Sequence, residues 1–428
     1  MTTKSSIIRN LFFISILIFF ASACTQRKVN LAEGSKRRFI AVFIDGTGNR
    51  IRKKPHKNTN VVKLYNLVKK ENKTFYIEGV GTRAKVLGLE SGAGITKRVR
   101  DSYRFICENY NEGDSIGLFG FSRGAAACRM LSNVIFTAGI LDLDSVKSSR
   151  SKNKIIKKVY RKYRGRRESL AEKRLKVAKY VTKWNTSHRS QKIKADTSGT
   201  TKIEVMGLWD TVDDVGWPSD YCEKDFDSPA SNHLYQACNL KKVFHAMSLD
   251  DNRAQLYTPI LMTGKNITKN CYGVNIDDIV EEVWFSGAHS QVGGYIKKSP
   301  GLSNTSLRWM TFRLKPYNLL RDTCLNETSL APVRNMQDSR AFRIITKDKN
   351  RSIDLYYHAT LKDKNGKLKV HQTVIERIEK GAAPLFKKRR DGFDWFEKCT
   401  FSKCFTFECN QVKFKPDCDC IQVVKDEN

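Results

Sequence analysis

The feature that most constrains this chain is a pentapeptide read together with its flanks. Gly120-Phe121-Ser122-Arg123-Gly124 stands between a β-prone apolar run, Asp114 to Phe119, and an Ala-rich apolar segment, Arg123 to Gly139. The pattern predicts strand, sharp turn and helix in immediate succession. A serine on such a turn takes strained backbone angles that only small neighbours tolerate, so the two glycines have a steric purpose. The hydroxyl is then exposed at a helix N-terminus, where the dipole and the backbone N–H groups favour a developing oxyanion. A bare G-x-S-x-G would say little; this setting makes Ser122 a candidate nucleophile.

The rest of the N-terminal two thirds repeats the alternation. Arg38 to Ile44 (RFIAVFI) reads as a buried strand entering the tight loop Asp45-Gly46-Thr47-Gly48-Asn49, followed by a helix-like stretch from Asn60 to Lys70 and a strand from Thr74 to Ile77. From Gly92 to Tyr110, the residues Ile95, Val99, Tyr103, Ile106 and Tyr110 fall on one helical face, and further strands fit Lys202 to Leu208 and Glu282 to Phe285. This rhythm predicts the α/β class, with a mostly parallel sheet covered by helices on both faces. A basic stretch, Lys147 to Lys194, carries Ile155, Val159, Tyr163, Leu170, Val177 and Tyr180 at amphipathic spacing and reads as a helical insertion over about residues 145–200. Beyond residue 335 the pattern changes to short strands, such as Ala341 to Thr346 and Ile353 to Leu361. We therefore divide the chain into a catalytic region, 38–334, and a β-rich extension, 335–428, with a cysteine-rich tail.

A serine hydroxyl is a poor nucleophile until a base takes its proton and a carboxylate orients that base. Of seven histidines, His289 is favoured, because Val283-Trp284-Phe285 is strand-like and the glycine-rich loop Ser286 to Gly294 after it suits an imidazole at a sheet edge. His245 lies in a helical-looking stretch (LKKVFHAMSL), and His371 lies in VHQTVIERI; both read as packed histidines. Asp210 follows the strand-like IEVMGLW and is the leading acid, with Asp213 and Asp214 as rivals. The order Ser122, Asp210, His289 is that of α/β hydrolases. For the oxyanion hole, the N–H of Arg123 follows the nucleophile, and a second N–H is expected from the loop that contains Gly46 and Thr47. An aspartyl-phosphatase reading of the D-G-T segment fails, since Phe43 stands where the nucleophilic aspartate belongs. The Gly-rich segment Gly88 to Lys97 lacks the Gly-Lys-Ser/Thr of a phosphate loop.

Compartment and partners follow from the ends and the charge. Lys4 and Arg9 precede an apolar stretch, Leu11 to Phe20, then Ala21-Ser22-Ala23 and Cys24. That reads as an export signal over residues 1–23, too short for a membrane-spanning helix, before a tether over 24–37. Cys24 is similar to the acylated cysteine of a bacterial lipoprotein, although Ala21 replaces the usual Leu; a signal peptide cut near Ala23 and an uncleaved anchor are the alternatives. Each places the protein at or beyond the cell envelope. The net charge of +33 suits an anionic membrane surface and, in that compartment, makes nucleic acid a poor partner. Twelve cysteines agree with an oxidising compartment. Cys399, Cys404, Cys409, Cys418 and Cys420 lack paired C-x-x-C spacing and nearby histidines, which favours disulfides over zinc. The acidic pairs Asp213-Asp214 and Asp250-Asp251 are of a type that can bind calcium, although charged surface loops are the commoner reading of such pairs. The chemistry requires no cofactor or metal, and nothing in the sequence specifies an oligomeric state.

Several ordered blocks, FIDGTGN, the Asn58-Thr59-Asn60-Val61 segment, YIEGVGT, RFICENY, GFSRGA, GLWDTV, HAMSLDDNR, VWFSGAHSQVGG and LSNTSLRW, span about Arg38 to Trp309. They resemble the bacterial α/β hydrolases related to the catalytic domain of type VI secretion phospholipase effectors. The resemblance implies Ser122 as nucleophile, Asp210 as triad acid and His289 as triad base. Gln291 stands where that family commonly has Asp. The export signal and the cysteine-rich tail also lie outside the family's pattern, so the resemblance carries the chemistry and not a delivered-effector role. The expectation is a carboxylic-ester hydrolase acting on phospholipid or another lipid ester. A non-catalytic lipid- or partner-binding envelope protein and a polysaccharide esterase are the alternatives.

Overall fold

Strand 39–44 (FIAVFI) is buried along its whole length, and its side chains divide by parity between two cores. Ile40, Val42 and Ile44 enter one cluster with Ile95, Val99 and Leu131, whereas Phe39, Ala41 and Phe43 enter another with Val61, Leu64 and Trp309. A strand apolar on both faces belongs inside a sheet with helices on both sides, as a parallel sheet requires. The computed structural model describes residues 38–81, 93–165, 168–195, 200–212, 238–251, 262, 275–294, 300–321, 367–379, 404–408, 411–418 and 421–426. The expected signal, the tether and Cys24, as well as Asp213, Asp214 and the strands expected at 341–346 and 353–361, lie outside the described residues.

In chain order, the elements begin β1 (Phe39–Ile44), α1 (Asn60–Leu67), β2 (Lys73–Ile77), α2 (Ala93–Asn109), β3 (Ser115–Phe121) and α3 (Arg123–Ala138). A short antiparallel pair, β4 (Leu141–Asp142) and β5 (Lys194–Ala195), brackets α4 (Ser149–Tyr163) and α5 (Leu170–Ser187). There follow β6 (Val205–Trp209), β7 (Val243–Ser248), α6 (Ile276–Ile279), β8 (Val280–Phe285), α7 (His289–Gly293) and α8 (Pro300–Leu314). The C-terminal part adds β9 (Leu368–His371), α9 (Gln372–Glu379), β10 (Phe405–Glu408), β11 (Gln411–Phe414) and β12 (Ile421–Val424). The central sheet has eight strands in the order β12-β9-β8-β7-β6-β3-β1-β2, and each of its described pairings is parallel. In such a sheet ligands gather beyond the strands' C-terminal ends.

The insertion is helical, as its spacing predicts. In α4, Ile155, Ile156, Val159, Tyr160 and Tyr163 are buried while Lys154, Lys157, Lys158 and Arg161 are exposed. A capping box opens α5: Ser169 Oγ accepts from Glu172 N–H, and Glu172 Oε2 accepts from Ser169 N–H at 2.6 Å. The extension contributes strands, β9 and β12, to the central sheet itself, and Cys404 is joined to Cys418 in the tail. One expectation is corrected: His245 lies in a strand, β7, and not in a helix. Its run VFHAMS is apolar and short, a pattern that suits a fully buried strand as well as a helix segment.

Candidate active site

Ser122 sits on the turn from β3 to α3 with φ 58° and ψ −128°. The elbow is held by Ser122 N–H donating to Trp209 O at 2.9 Å, and by Ala125 and Ala126 N–H donating to Ser122 O. A Cβ on Gly120 would stand 2.6 Å from Gly124 O, and one on Gly124 would stand 2.2 Å from Ile44 O. Both distances are too short for real atoms, so the elbow packs backbone against backbone and both positions require glycine. Arg123 is the first residue of α3, and its N–H opens the helix beside Ser122.

Asp210 follows β6 and also has a positive φ, 41°. His289 opens α7 after the loop that leaves β8. Although 167 and 79 residues separate them from His289, Ser122 and Asp210 meet its two ring nitrogens: Nε2 lies 2.8 Å from Ser122 Oγ, and Nδ1 lies 2.5 Å from Asp210 Oδ2. Asp210 is fully buried, and Ser122 and His289 are each 3 % exposed. A carboxylate at Nδ1 keeps the proton on that nitrogen and leaves Nε2 able to receive the serine proton. The ring of Phe121 lies 4.7 Å from the imidazole and walls one side.

Several positioning groups escaped sequence reasoning. Ser248 donates both its N–H and its hydroxyl to Asp210, at 3.0 Å each. Asp251 Oδ2 accepts from His289 N–H at 2.9 Å, and Asp250 Oδ2 accepts from Gly287 N–H at 2.6 Å. Reading HAMSL as a strand would have found them, since it sets Ser248, Asp250 and Asp251 at the sheet edge that carries Ser122 and Asp210. Gln291, the departure from the family's Asp, accepts from Ala288 N–H at 2.8 Å and thereby holds the first turn of α7.

The loop after β1 is braced from below. Asp45 is buried and accepts from Tyr76 OH at 2.8 Å, Thr59 Oγ1 at 3.0 Å and Gly46 N–H at 2.8 Å. Burial pushes its carboxyl up to about 6, against the opposing effect of those three donors and of Arg52. Gly48 N–H donates to Val80 O, and a Cβ on Gly79 would fall 1.7 Å from Gly46 O, so the two glycine loops are in direct backbone contact. The Gly46 N–H expected at the oxyanion is thus directed to Asp45 Oδ1, because a buried carboxylate needs its donors. Thr47 Oγ1 is buried with no hydrogen-bond partner among the described residues.

Residues 37–313 match the family described as T6SS, phospholipase effector Tle1-like, catalytic domain. The chain belongs to that family. An uncharacterised protein of Saccharomyces cerevisiae is 24 % identical over 263 residues, covering 55 % of this chain and 35 % of its own length. The chain therefore spans about a third of the curated relative it matches. A solved structure of an uncharacterised protein from Pseudomonas aeruginosa aligns with TM-score 0.40 at 15 % identity, over 71 % of this chain and 48 % of that one. The propionate-bound thermophilic esterase Est2 of Thermogutta terrifontis aligns with TM-score 0.35 at 15 % identity, over 67 % of this chain and 86 % of that one.

Proposed function

We propose that the protein hydrolyses carboxylic esters, with phospholipid or another lipid ester as substrate, through Ser122, His289 and Asp210. The observation that carries this reading is the unbroken path from Ser122 Oγ through the imidazole to Asp210, set on a strained strand-turn-helix elbow. His289 Nε2 takes the serine proton as Oγ attacks the ester carbonyl, and Asp210 stabilises the imidazolium that forms. The Arg123 N–H and a donor from Thr47 receive the oxyanion; the alcohol leaves with the proton from His289, and water then releases the acyl group by the same steps in reverse. The test is labelling of the purified full chain with a fluorophosphonate probe, which reacts with activated serines. Wild type is expected to label, and Ser122→Ala and His289→Ala are expected not to. A folded wild type that never labels would overturn the hydrolase reading in favour of a binding protein on this fold.

The second element of the reading is attachment to an anionic membrane of the cell envelope, by a lipid on Cys24 and by the α4–α5 layer. Residues 147–194 carry nineteen Lys and Arg against two acids, Glu168 and Glu172. Arg164, just past α4, donates to Thr96 Oγ1 in the first turn of α2, and Arg98, in the next turn, donates to Glu78 O in the loop beside Gly46. These bonds link the end of α4, through α2, to the loop after β2 that lies against the Gly46 loop. Each Lys or Arg near an anionic leaflet contributes about 1 kcal/mol, and salt screens it. Among the described residues no helix is long and apolar enough to cross a membrane. Binding of the Cys24→Ser chain to phosphatidylglycerol vesicles is expected to fall steeply between low and high salt and to be absent on phosphatidylcholine. Equal binding to both lipids would remove the electrostatic part of this proposal, and wild-type membrane retention of Cys24→Ser in cells at high salt would remove the lipid anchor.

A further inference from the structure

Behind the triad lies a second chain of buried polar groups that the mechanism above does not use. His245 is fully buried on β7, between β6 and β8. Its Nδ1 lies 2.8 Å from Glu282 Oε1, directly across the β7–β8 ladder. Its Nε2 faces Thr211, 3.2 Å from the backbone N–H and 2.9 Å from the hydroxyl. A backbone N–H can only donate, so Nε2 carries a lone pair and the ring proton is on Nδ1, where Glu282 accepts it. Glu282 Oε1 is itself held by Met262 N–H at 2.5 Å. With both nitrogens committed, this histidine cannot act as the base.

Thr211 directly follows Asp210, whose φ of 41° is uncommon for a residue with a Cβ and persists only where neighbours over-determine it. The flanking contacts do that from three directions. Asp210 N–H donates to Ala246 O at 2.8 Å, the carboxylate receives both donors of Ser248, and the peptide on the far side is gripped by His245. Ala246, Ser248 and His245 all belong to β7, so one strand clamps the acid loop before, at and after Asp210.

We propose that His245, with its tautomer set by Glu282, is a positioning residue that holds the Asp210 carboxylate in line with His289 by anchoring Thr211. The proposal rests on the reading of Asp210 and His289 as triad members. It is tested with two substitutions that each keep half of the ring's bonding. The carboxamide in H245Q reaches the place of Nε2 and can still accept from Thr211; the one in H245N reaches only the place of Nδ1 and keeps the Glu282 side. With folding checked by thermal melting, H245N is expected to lower kcat for a short-chain ester roughly 100-fold with KM nearly unchanged, the scale of an ångström-sized misplacement. H245Q is expected to recover most of that loss. The low-field proton resonance of the His289–Asp210 hydrogen bond is expected to shift or vanish in H245N and to persist in H245Q. Equal losses in the two variants, or wild-type kcat in H245N, would overturn the proposal. If wild type itself neither labels nor turns over, the hydrolase reading fails, and the proton resonance still decides the positioning role: a signal unchanged in H245N would end it.

Discussion

Ser122→Ala and His289→Ala are each expected to lower kcat on an ester substrate by roughly 10⁵- to 10⁶-fold, and the double variant to be no worse than either. The physical reason is that in the proposed mechanism the two side chains perform one act. Ser122 Oγ has no use as a nucleophile unless its proton passes to the nitrogen 2.8 Å away, and that nitrogen has no other proton to take. Residual turnover would come from substrate binding and the oxyanion donors alone. Asp210→Asn is expected to be milder, about 10⁴-fold, since an amide can present its N–H to Nδ1 and favour the wrong tautomer while the pocket stays filled. The two donors of Ser248 would also face that amide, so part of the loss would come from a displaced side chain. Steady-state rates on a p-nitrophenyl ester measure all four variants. Losses that multiply in the double variant would mean that Ser122 and His289 act independently, and the proton path would have to be abandoned.

Gly124→Ala is expected to cost about 3 kcal/mol or more of folding stability and to abolish activity with it. The added methyl would meet Ile44 O at 2.2 Å and Asp45 O at 2.6 Å. Those are backbone oxygens at the end of β1, which is buried on both faces, so neither can swing aside as a side-chain tip would. Relief requires moving α3 away from the sheet, and Ser122 moves with it. Gly48→Ala provides the contrast. Gly48 has φ 73° but nothing within 4 Å of its would-be Cβ, so only the left-handed backbone is penalised, by about 1–2 kcal/mol. Urea denaturation of the two variants reads the difference in midpoint. Similar midpoints would show that the elbow is not packed against β1 as described.

The features legible in the sequence were those whose cause is local. The elbow was legible because a strand, a serine between glycines and an Ala-rich helix are adjacent in the chain. The parallel sheet was legible because strands such as FIAVFI are apolar at both parities, which suits a sheet covered on both sides. The amphipathic insertion showed in the spacing of Ile155, Val159 and Tyr163, all buried in α4. The order Ser122, Asp210, His289 also follows from reading each residue at the end of its own strand.

The rest depended on which strands lie side by side. VFHAMS carries no signal that separates a short buried strand from a helix, and its side chains gain their roles only once β7 is placed between β6 and β8. That placement turns Ser248 into a double donor to Asp210, sets His245 between Thr211 and Glu282, and brings Asp250 and Asp251 under the His289 loop. The bond from Gly46 N–H to Asp45 was hidden for the same reason, since the burial of Asp45 is a property of the packed loops from β1 and β2. Likewise β9 and β12, from a region read as an extension, complete the edge of the central sheet. By itself the sequence determined the backbone devices that present a serine, a carboxylate and an imidazole, because torsional strain and apolar periodicity act over a few residues. Only the tertiary structure decided which donors hold those groups in register, because a hydrogen bond across 79 or 167 residues has no local signature and forms only where sheet order brings the two ends together.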